Sequence, residues 1–308
     1  MPVGTLRTRP RLIESRQNPR VKELRAAFAR TGRTPSGLIA IEGEHLVAEA
    51  LRSHLRFATV FLRDGYQPPF ATPDDAEHLL LPPDVLSSAV ATEQPQGIAA
   101  LVHPPDFSAD AIFRAPAPLI LVLAGLQDPG NVGTLLRSAE AFAATGILLL
   151  PGTASPWNPK ALRASAGSVF RVAAIAASEI AALNLLAKHN IPAIAAVAGA
   201  GVSVSAAPLA GPCALLIGNE GAGLSDSLIA AAAHRITIPM PGNVESLNAA
   251  IAGSLLLYEA SRRRSDAALP ESSSSRPEPQ QSLSSRLERS GMERSAVRTA
   301  PRHQHPKS

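Results

Sequence analysis

An α/β fold built on an open parallel sheet is what this sequence predicts, on three observations. Across residues 119–262, short unbroken apolar runs alternate with stretches of helical period, the pattern of strands buried on both faces by helices. Three of those runs end in Gly- or Pro-marked turns that lead into helical segments. They are Asp128-Pro-Gly-Asn-Val-Gly-Thr-Leu-Leu-Arg137, Ile217-Gly-Asn-Glu-Gly-Ala-Gly-Leu-Ser225 and Ile238-Pro-Met-Pro-Gly-Asn-Val-Glu-Ser-Leu-Asn248. Loops of that kind lie at the carboxyl ends of parallel strands, where ligands bind. A shorter region of alternating strand and helix precedes them, set off by a Pro-rich stretch.

Residues 1–17 read as a loose basic leader. Asn18-Pro19 starts a helix, with Asn as the cap and Pro at the first helical position. Val21, Leu24 and Phe28 follow at helical spacing among Arg20, Lys22, Arg25 and Arg30. Residues 38–41 read as a strand, and Glu42-Gly43 turns it into a helix whose stripe is Leu46, Val47, Ala50 and Leu51. Residues 58–62 and 97–102 read as further strands. This small α/β unit spans 18–103, and the proline-rich residues 104–118 read as an interdomain linker.

In the second domain, 119–262, strands are expected at 119–124, 147–150, 172–175, 193–197, 214–217 and 236–239. Helices are expected between them at 132–144, 160–166, 179–189, 225–232 and 245–261. From Arg263 onward Ser, Pro, Glu, Gln and Arg dominate. Such a composition buries too little apolar surface to offset ordering entropy, so 263–308 is expected to be a disordered tail.

Composition narrows the function classes. Hydrophobic residues make up 45% of 308 positions, enough for a core without staples. Cys213 is the single cysteine, which excludes a disulfide framework or a Cys-based zinc site and fits a reducing cytoplasm. The N-terminus lacks an apolar h-region and no run of about 18 apolar residues occurs, so neither signal peptide nor membrane span is expected. The histidines are scattered without metal spacing, and no GxSxG elbow is present. Net charge is +6 over 1–30, +5 over 262–308 and −7 between, a distribution that suits a polyanion partner met by peripheral elements.

The three loops carry the candidate chemistry. In the first, Asp128-Pro-Gly reads as a turn and Asn131 as the cap of a helix with stripe Val132, Leu135, Leu136 and Ala139. Arg137 lies off that stripe, one turn after Gly133, and leans back towards the Gly-rich turn. There it is either a forked donor for phosphate or the partner of Glu140 in an ordinary i,i+3 pair. In the second, three glycines let a backbone approach a ligand closely. Their spacing is neither a Walker loop nor GxGxxG, and Glu220 at the tip has no evident fold role. In the third, Ser246 and Asn248 suit helix capping. Ala249, Ala250, Ala252 and Gly253 then allow a close helix contact, either within the chain or across a dimer.

These loops resemble the three motifs of the SpoU/TrmH-type RNA ribose 2′-O-methyltransferases of the SPOUT superfamily. The similarity rests on Asn131, Gly133, Arg137 and Ser138-Ala-Glu140, on Gly218-Asn-Glu-Gly-Ala-Gly-Leu224, and on Ile238-Pro-Met, Ser246-Leu-Asn248 and Tyr258-Glu259. Upstream, Glu42-Gly43, Val47, Glu49-Ala-Leu51 and Gln96-Gly-Ile98 are similar to the family's small α/β, L30e-like RNA-binding domain. The resemblance implies a SPOUT-type parallel-sheet domain with a C-terminal trefoil knot. It implies S-adenosylmethionine as cofactor, contacted at Gly218, Ile238 and Leu247. It implies Arg137 engaging RNA phosphate and aiding deprotonation of the 2′-hydroxyl, with Asn131, Glu220, Ser246 and Asn248 shaping the site. It also implies a homodimer acting on structured RNA, ribosomal RNA in preference to tRNA. The alternatives are the same reaction on tRNA and a catalytically inactive RNA-binding homologue; without the resemblance, a nucleotide-dependent oxidoreductase is a third reading, against which the missing GxGxxG argues. No metal is expected.

Overall fold

The computed structural model describes residues 10–29, 32–92, 94–199 and 201–268. Most of the leader and nearly all of the tail named above lie outside these residues.

The first layer is a five-stranded sheet in the order β1-β4-β3-β5-β2. Its strands are β1 (Arg11–Leu12), β2 (Ile39–Glu42), β3 (Phe57–Arg63), β4 (Glu77–Leu81) and β5 (Ile98–Val102). Helix α1 (Pro19–Ala29) starts where Asn18 accepts the Arg20 N–H at 2.9 Å. It packs with α3 (Pro83–Ser87) on one face of the sheet, through Val21, Leu24, Val85 and Leu86. Helix α2 (Glu44–Arg52) covers the other face with Leu46, Val47 and Ala50. Alternation decides which side is which: Leu38 and Ala40 belong to the α1 layer, Ile39 and Ile41 to the α2 layer. Two expectations change here. The leader is tied down at Arg11–Leu12, which pairs parallel to Leu79–Leu80. Strand β4 escaped the sequence reading because it opens on Glu77-His78 and follows a Pro- and Asp-rich stretch.

The second sheet is parallel throughout, in the order β10-β12-β9-β11-β6-β7-β8. Its strands are β6 (Leu119–Leu123), β7 (Gly146–Leu149), β8 (Ala174–Ala176), β9 (Ala193–Ala196), β10 (Val202–Ser203), β11 (Cys213–Ile217) and β12 (His234–Thr237). One face carries α4 (Pro129–Ala141), α5 (Pro159–Ser165) and α8 (Ala249–Ala268); α6 (Glu179–Lys188) and α7 (Asp226–Ala231) belong to the cluster on the other. From β6 the chain moves to β7 and β8, then crosses to β9 and returns with β11 beside β6. The adjacent carboxyl ends of β6 and β11 therefore form the switch-point crevice where α/β sheets bind ligands.

The presumed linker is structured. A 3₁₀ turn at Ala109–Phe113 buries Ile112 completely, and Phe113 stacks on His189 with ring centroids 4.3 Å apart. Order also continues past residue 262. Arg263 donates to the Ala207 carbonyl at 2.7 Å, and α8 runs to Ala268.

One buried cluster spans both sheets, from Ile39 and Val47 to Leu121 and Leu135. Arg171, just after a 3₁₀ turn at Ser168–Phe170, fastens the two units. Its Nη1 donates to Glu49 of α2 at 2.7 Å, and its Nη2 donates to Glu140 of α4 at 3.0 Å. Gly167 makes the approach possible: a Cβ there would lie 2.6 Å from the Glu49 Cβ. The Arg171 guanidinium holds the Glu140 carboxyl below its ordinary pKa, against partial desolvation.

Replacing Arg171 with Met should destabilise the fold by about 2 kcal/mol, less than loss of a fully isolated buried pair because Glu49 keeps Arg52. The Glu140 contribution is full above the unfolded carboxylate pKa and is lost as pH falls through the depressed folded value. Urea unfolding across pH should therefore show the wild-type advantage shrinking on acidification. An Arg171→Met midpoint equal to wild type at neutral pH would mean that this clamp contributes nothing.

Candidate active site

Each motif loop is shaped by its own turn chemistry, and the assignments differ from the simplest reading. Asp128, not Asn131, caps α4: its Oδ1 accepts the Gly130 N–H at 2.8 Å and the Lys160 ammonium at 2.7 Å. Pro129 takes the first helical position, where a missing N–H does no harm. The lysine, then the backbone hydrogen bond, draws the Asp128 carboxyl below its ordinary range. Asn131 is thereby released from capping. It lies inside the first turn, is buried, and donates from Nδ2 to Glu220 Oε1 at 2.8 Å.

The second loop closes on itself. Asn219 and Gly223 exchange backbone hydrogen bonds at 3.0 Å in both directions. The Asn219 side chain accepts from the N–H groups of Gly221 and Ala222 at 2.9 Å and donates to the Gly125 carbonyl at 2.7 Å. Asn219 thus sets the loop shape, a role an Asn two residues before a Gly can signal in sequence. Gly218 is required by the loop itself. A Cβ there would lie 2.3 Å from the Gly223 carbonyl carbon and 2.5 Å from the Leu224 nitrogen. Glu220 reaches the N-terminal approach to α4. Desolvation pushes its pKa up, but hydrogen bonds from Asn131 and from backbone N–H groups, those of Gln127 and Asp128 among them, outweigh it and leave the group below its ordinary value. It is an ionised carboxylate at neutral pH.

In the third loop the helix starts later than expected, at Ala249. Asn248 caps it, accepting the Ala250 N–H at 2.9 Å and the Ile251 N–H at 3.2 Å. Its Nδ2 also donates to Asn131 Oδ1 at 3.1 Å. Glu220, Asn131 and Asn248, one from each loop, therefore form a single hydrogen-bonded chain.

Between the second and third loops lies a cavity of about 270 Å³. Gly218, Ile238 and Leu247 line it, as do Glu220 and Ser246. Its other walls are largely apolar, including Ile217, Ile236, Met240 and Leu256, and among the described residues Glu220 is the one charged residue on them. An apolar slot with a single carboxylate suits a flat heterocycle joined to a cationic centre, which is the chemistry of S-adenosylmethionine. Among the described residues no group of His, Cys, Asp or Glu is arranged to hold a metal ion.

Arg137 is not on that cavity's wall. With Thr134 and Ala141 it occupies the exposed face of α4. The expected alternative, a pair with Glu140, is not formed, because Arg171 holds Glu140. Beside it, α8 packs on α4 through a Ser138–Ser254 hydroxyl contact of 2.7 Å and an edge-on contact of Phe142 with Tyr258. Ala250 and Gly253 face inward; a Cβ on Gly253 would lie 2.5 Å from Leu135 Cδ2. Ala250 and Gly253 thus serve the intrachain contact, while Ala249 and Ala252 line the cavity. Ile251, Leu255 and Tyr258 point outward, 53%, 44% and 51% exposed.

Comparison with known proteins agrees with this geometry. Residues 118–258 match the model of the SpoU rRNA Methylase family, and residues 18–100 match that of the MRM3-like substrate binding domain. The chain is 32% identical to the 23S rRNA (guanosine(2553)-2′-O)-methyltransferase RlmP of Bacillus subtilis, over 80% of this chain and 97% of that protein. Among solved structures, the SpoU methyltransferase AviRb from Streptomyces viridochromogenes in complex with AdoMet is 26% identical, with a TM-score of 0.73 over 80% of this chain and 98% of that one. An RNA 2′-O ribose methyltransferase structure is 32% identical, with a TM-score of 0.69 over 82% of this chain and 99% of that one. With two-unit architecture, three interlocked motif loops and near full-length relatives all in agreement, the chain belongs to the SpoU rRNA methylase family.

Proposed function

We propose that this protein methylates a ribose 2′-hydroxyl of 23S rRNA, using S-adenosylmethionine bound in the cavity between the second and third loops. The observation that carries the reading is the cavity itself: apolar, with one ionised carboxylate fixed by residues from all three motifs. When bound, the cofactor supplies a methyl group on a positively charged sulfur. Gly218, Ile238 and Leu247 hold the adenosyl portion, and Ser246 adds a hydroxyl to the wall. Glu220 complements the cationic centre, while Asn131 and Asn248 hold Glu220 in place. Arg137 would grip RNA phosphate and hold the ribose 2′-hydroxyl towards the cofactor cavity, a positioning and electrostatic role.

We also infer a cytoplasmic homodimer. The exposed Ile251, Leu255 and Tyr258 stripe supports it, since an apolar row on one helix face marks an interaction site. Packing a second copy there would set Arg137, on the adjoining face of α4, at the subunit boundary. A trefoil knot in the last two loops belongs to the same reading. It is supported by the path of α8, which leaves the sheet beyond β12 and returns over β11 to meet Leu135 and Ile217.

Mapping 2′-O-methyl sites in total RNA with and without the gene tests the function: one 23S rRNA site should disappear, and loss of a tRNA site instead would overturn the substrate class. Three variants test the parts. Arg137→Ala should leave S-adenosylhomocysteine affinity unchanged by calorimetry while lowering turnover by about 10²–10³; near-normal turnover would remove Arg137 from the chemistry. Gly218→Val should abolish S-adenosylhomocysteine binding, because the loop cannot close around a branched side chain. Normal binding by that variant would place the cofactor elsewhere. Leu255→Glu should yield a folded monomer in sedimentation, and a persistent dimer would move the interface off α8.

A further inference from the structure

A second concavity lies at the carboxyl ends of β7 and β8. It is an open groove of about 850 Å³, walled by residues 149–157 and 174–178 of the catalytic unit and by Arg33 of the N-terminal unit. Among the described residues Arg33 is the only charged one on this wall. Its guanidinium carbon sits 5.4 Å from the centroid of the Trp157 ring, a cation–π arrangement that fixes the plane of the fork without neutralising it. Partial burial lowers its pKa, and among the described residues no carboxylate offsets that effect. Glu179, next in sequence to the groove wall, has its carboxylate engaged by the hydroxyls of Ser225 and Ser227.

The placement of Arg33 is built in. A Cβ on Gly32 would lie 1.6 Å from the Trp157 carbonyl oxygen, so only glycine lets this turn seat against the catalytic unit. The next residue, Arg33, pairs with Ile39 and is held in register with β2. The groove is joined to the cofactor site by hydrogen bonds through Gly125. Thr153 Oγ1 accepts the Gly125 N–H at 3.0 Å and donates to the Leu123 carbonyl at 2.9 Å. The carbonyl of the same Gly125 accepts from Asn219 of the second loop. The N-terminus of α6, capped by Ser178 Oγ on the Ala181 N–H at 3.2 Å, begins at the groove's edge and adds a positive dipole end.

We propose that this groove seats a nucleotide of the substrate RNA adjacent to the one that is methylated, with its phosphate held by Arg33. The inference rests on the function proposed above. A guanidinium without a carboxylate partner among the described residues, oriented by an indole face and one loop away from the cofactor cavity, has the chemistry of a phosphate clamp. Arg33 is a positioning residue here. Its loss should therefore act on RNA binding and leave the methyl-transfer step itself in place.

The test uses the full chain, S-adenosylmethionine and an unmodified 23S rRNA transcript. Arg33→Ala should raise KM for RNA about tenfold or more, with kcat near wild type and S-adenosylhomocysteine affinity unchanged. It should also reduce the slope of log Kd against log salt by about one, as expected for one lost phosphate contact. Arg33→Gln keeps a planar side chain over Trp157 without the charge and should reproduce the effect, which covers the case in which the alanine variant is unstable. Lys188→Ala, an exposed charge at the far end of α6, is the control and should leave KM and slope near wild type. An unchanged KM and slope for both Arg33 variants, or an equal loss from Lys188→Ala, would overturn the clamp. Failure of the wild-type protein to bind S-adenosylhomocysteine or to methylate the transcript would instead strike the function proposed above.

Discussion

The hydrogen-bonded chain from Glu220 through Asn131 to Asn248 is the constraint on which the site depends. A carboxylate drawn partly out of water needs donors aimed at it, or it protonates. Here one donor is an amide whose other end is itself held, so the Asn131 side chain has one usable orientation: nitrogen to Glu220, oxygen to Asn248. Everything around it is arranged to leave those groups available. Asp128 takes over the capping of α4, and Asn219 closes the glycine loop that presents Glu220. Asn248 divides its amide, with the oxygen on the α8 N-terminus and the nitrogen on Asn131. Disturbing any one loop therefore reaches the other two through a single carboxylate.

A second level of constraint fixes the N-terminal unit on the catalytic one. Three features act together: a hydrophobic cluster common to both sheets, the Arg171 bridge between Glu49 and Glu140, and two glycines where any side chain would collide. Gly32 meets the Trp157 backbone and Gly167 meets Glu49. Contacts this close favour a fixed relation between the units over free hinging. A surface that takes RNA across both, such as the Arg33 groove, can then be preorganised before the substrate arrives.

Much of this was legible in the residues, and the failures have physical causes. Buried parallel strands such as β6, β9 and β11 announce themselves because both of their faces are apolar. Strand β4 did not, since it opens on polar residues, and Ala109–Phe113 was masked by flanking prolines although Ile112 is a core residue. Asn18 was readable as a cap because nothing competes with it. Asn131 was misread as one because Asp128, three residues earlier, does the same job with a proline behind it. The chain linking Asn131 to Glu220 and Asn248 joins residues 89 and 117 positions apart. No local pattern encodes such a contact; the position of the three loops at strand ends and the resemblance to a family brought the residues to one site, but not the bonds between them.

The charge arrangement gives the site a division of labour. Among the described residues the cavity carries a single charge, and it is negative, which suits a cationic cofactor and would repel an RNA backbone. The cations needed to meet phosphate must therefore stand outside it. Arg137 and Arg33 both do, and neither is neutralised by a carboxylate among the described residues, whereas Glu140, the acid nearest in sequence to Arg137, is withdrawn into the Arg171 bridge. Spending Arg171 on Glu140 has a structural purpose, joining the units, and a functional consequence, leaving the Arg137 fork open. Under the proposed function, the interdomain bridge and the readiness of the rim for RNA are thus two results of one choice of ion-pair partner.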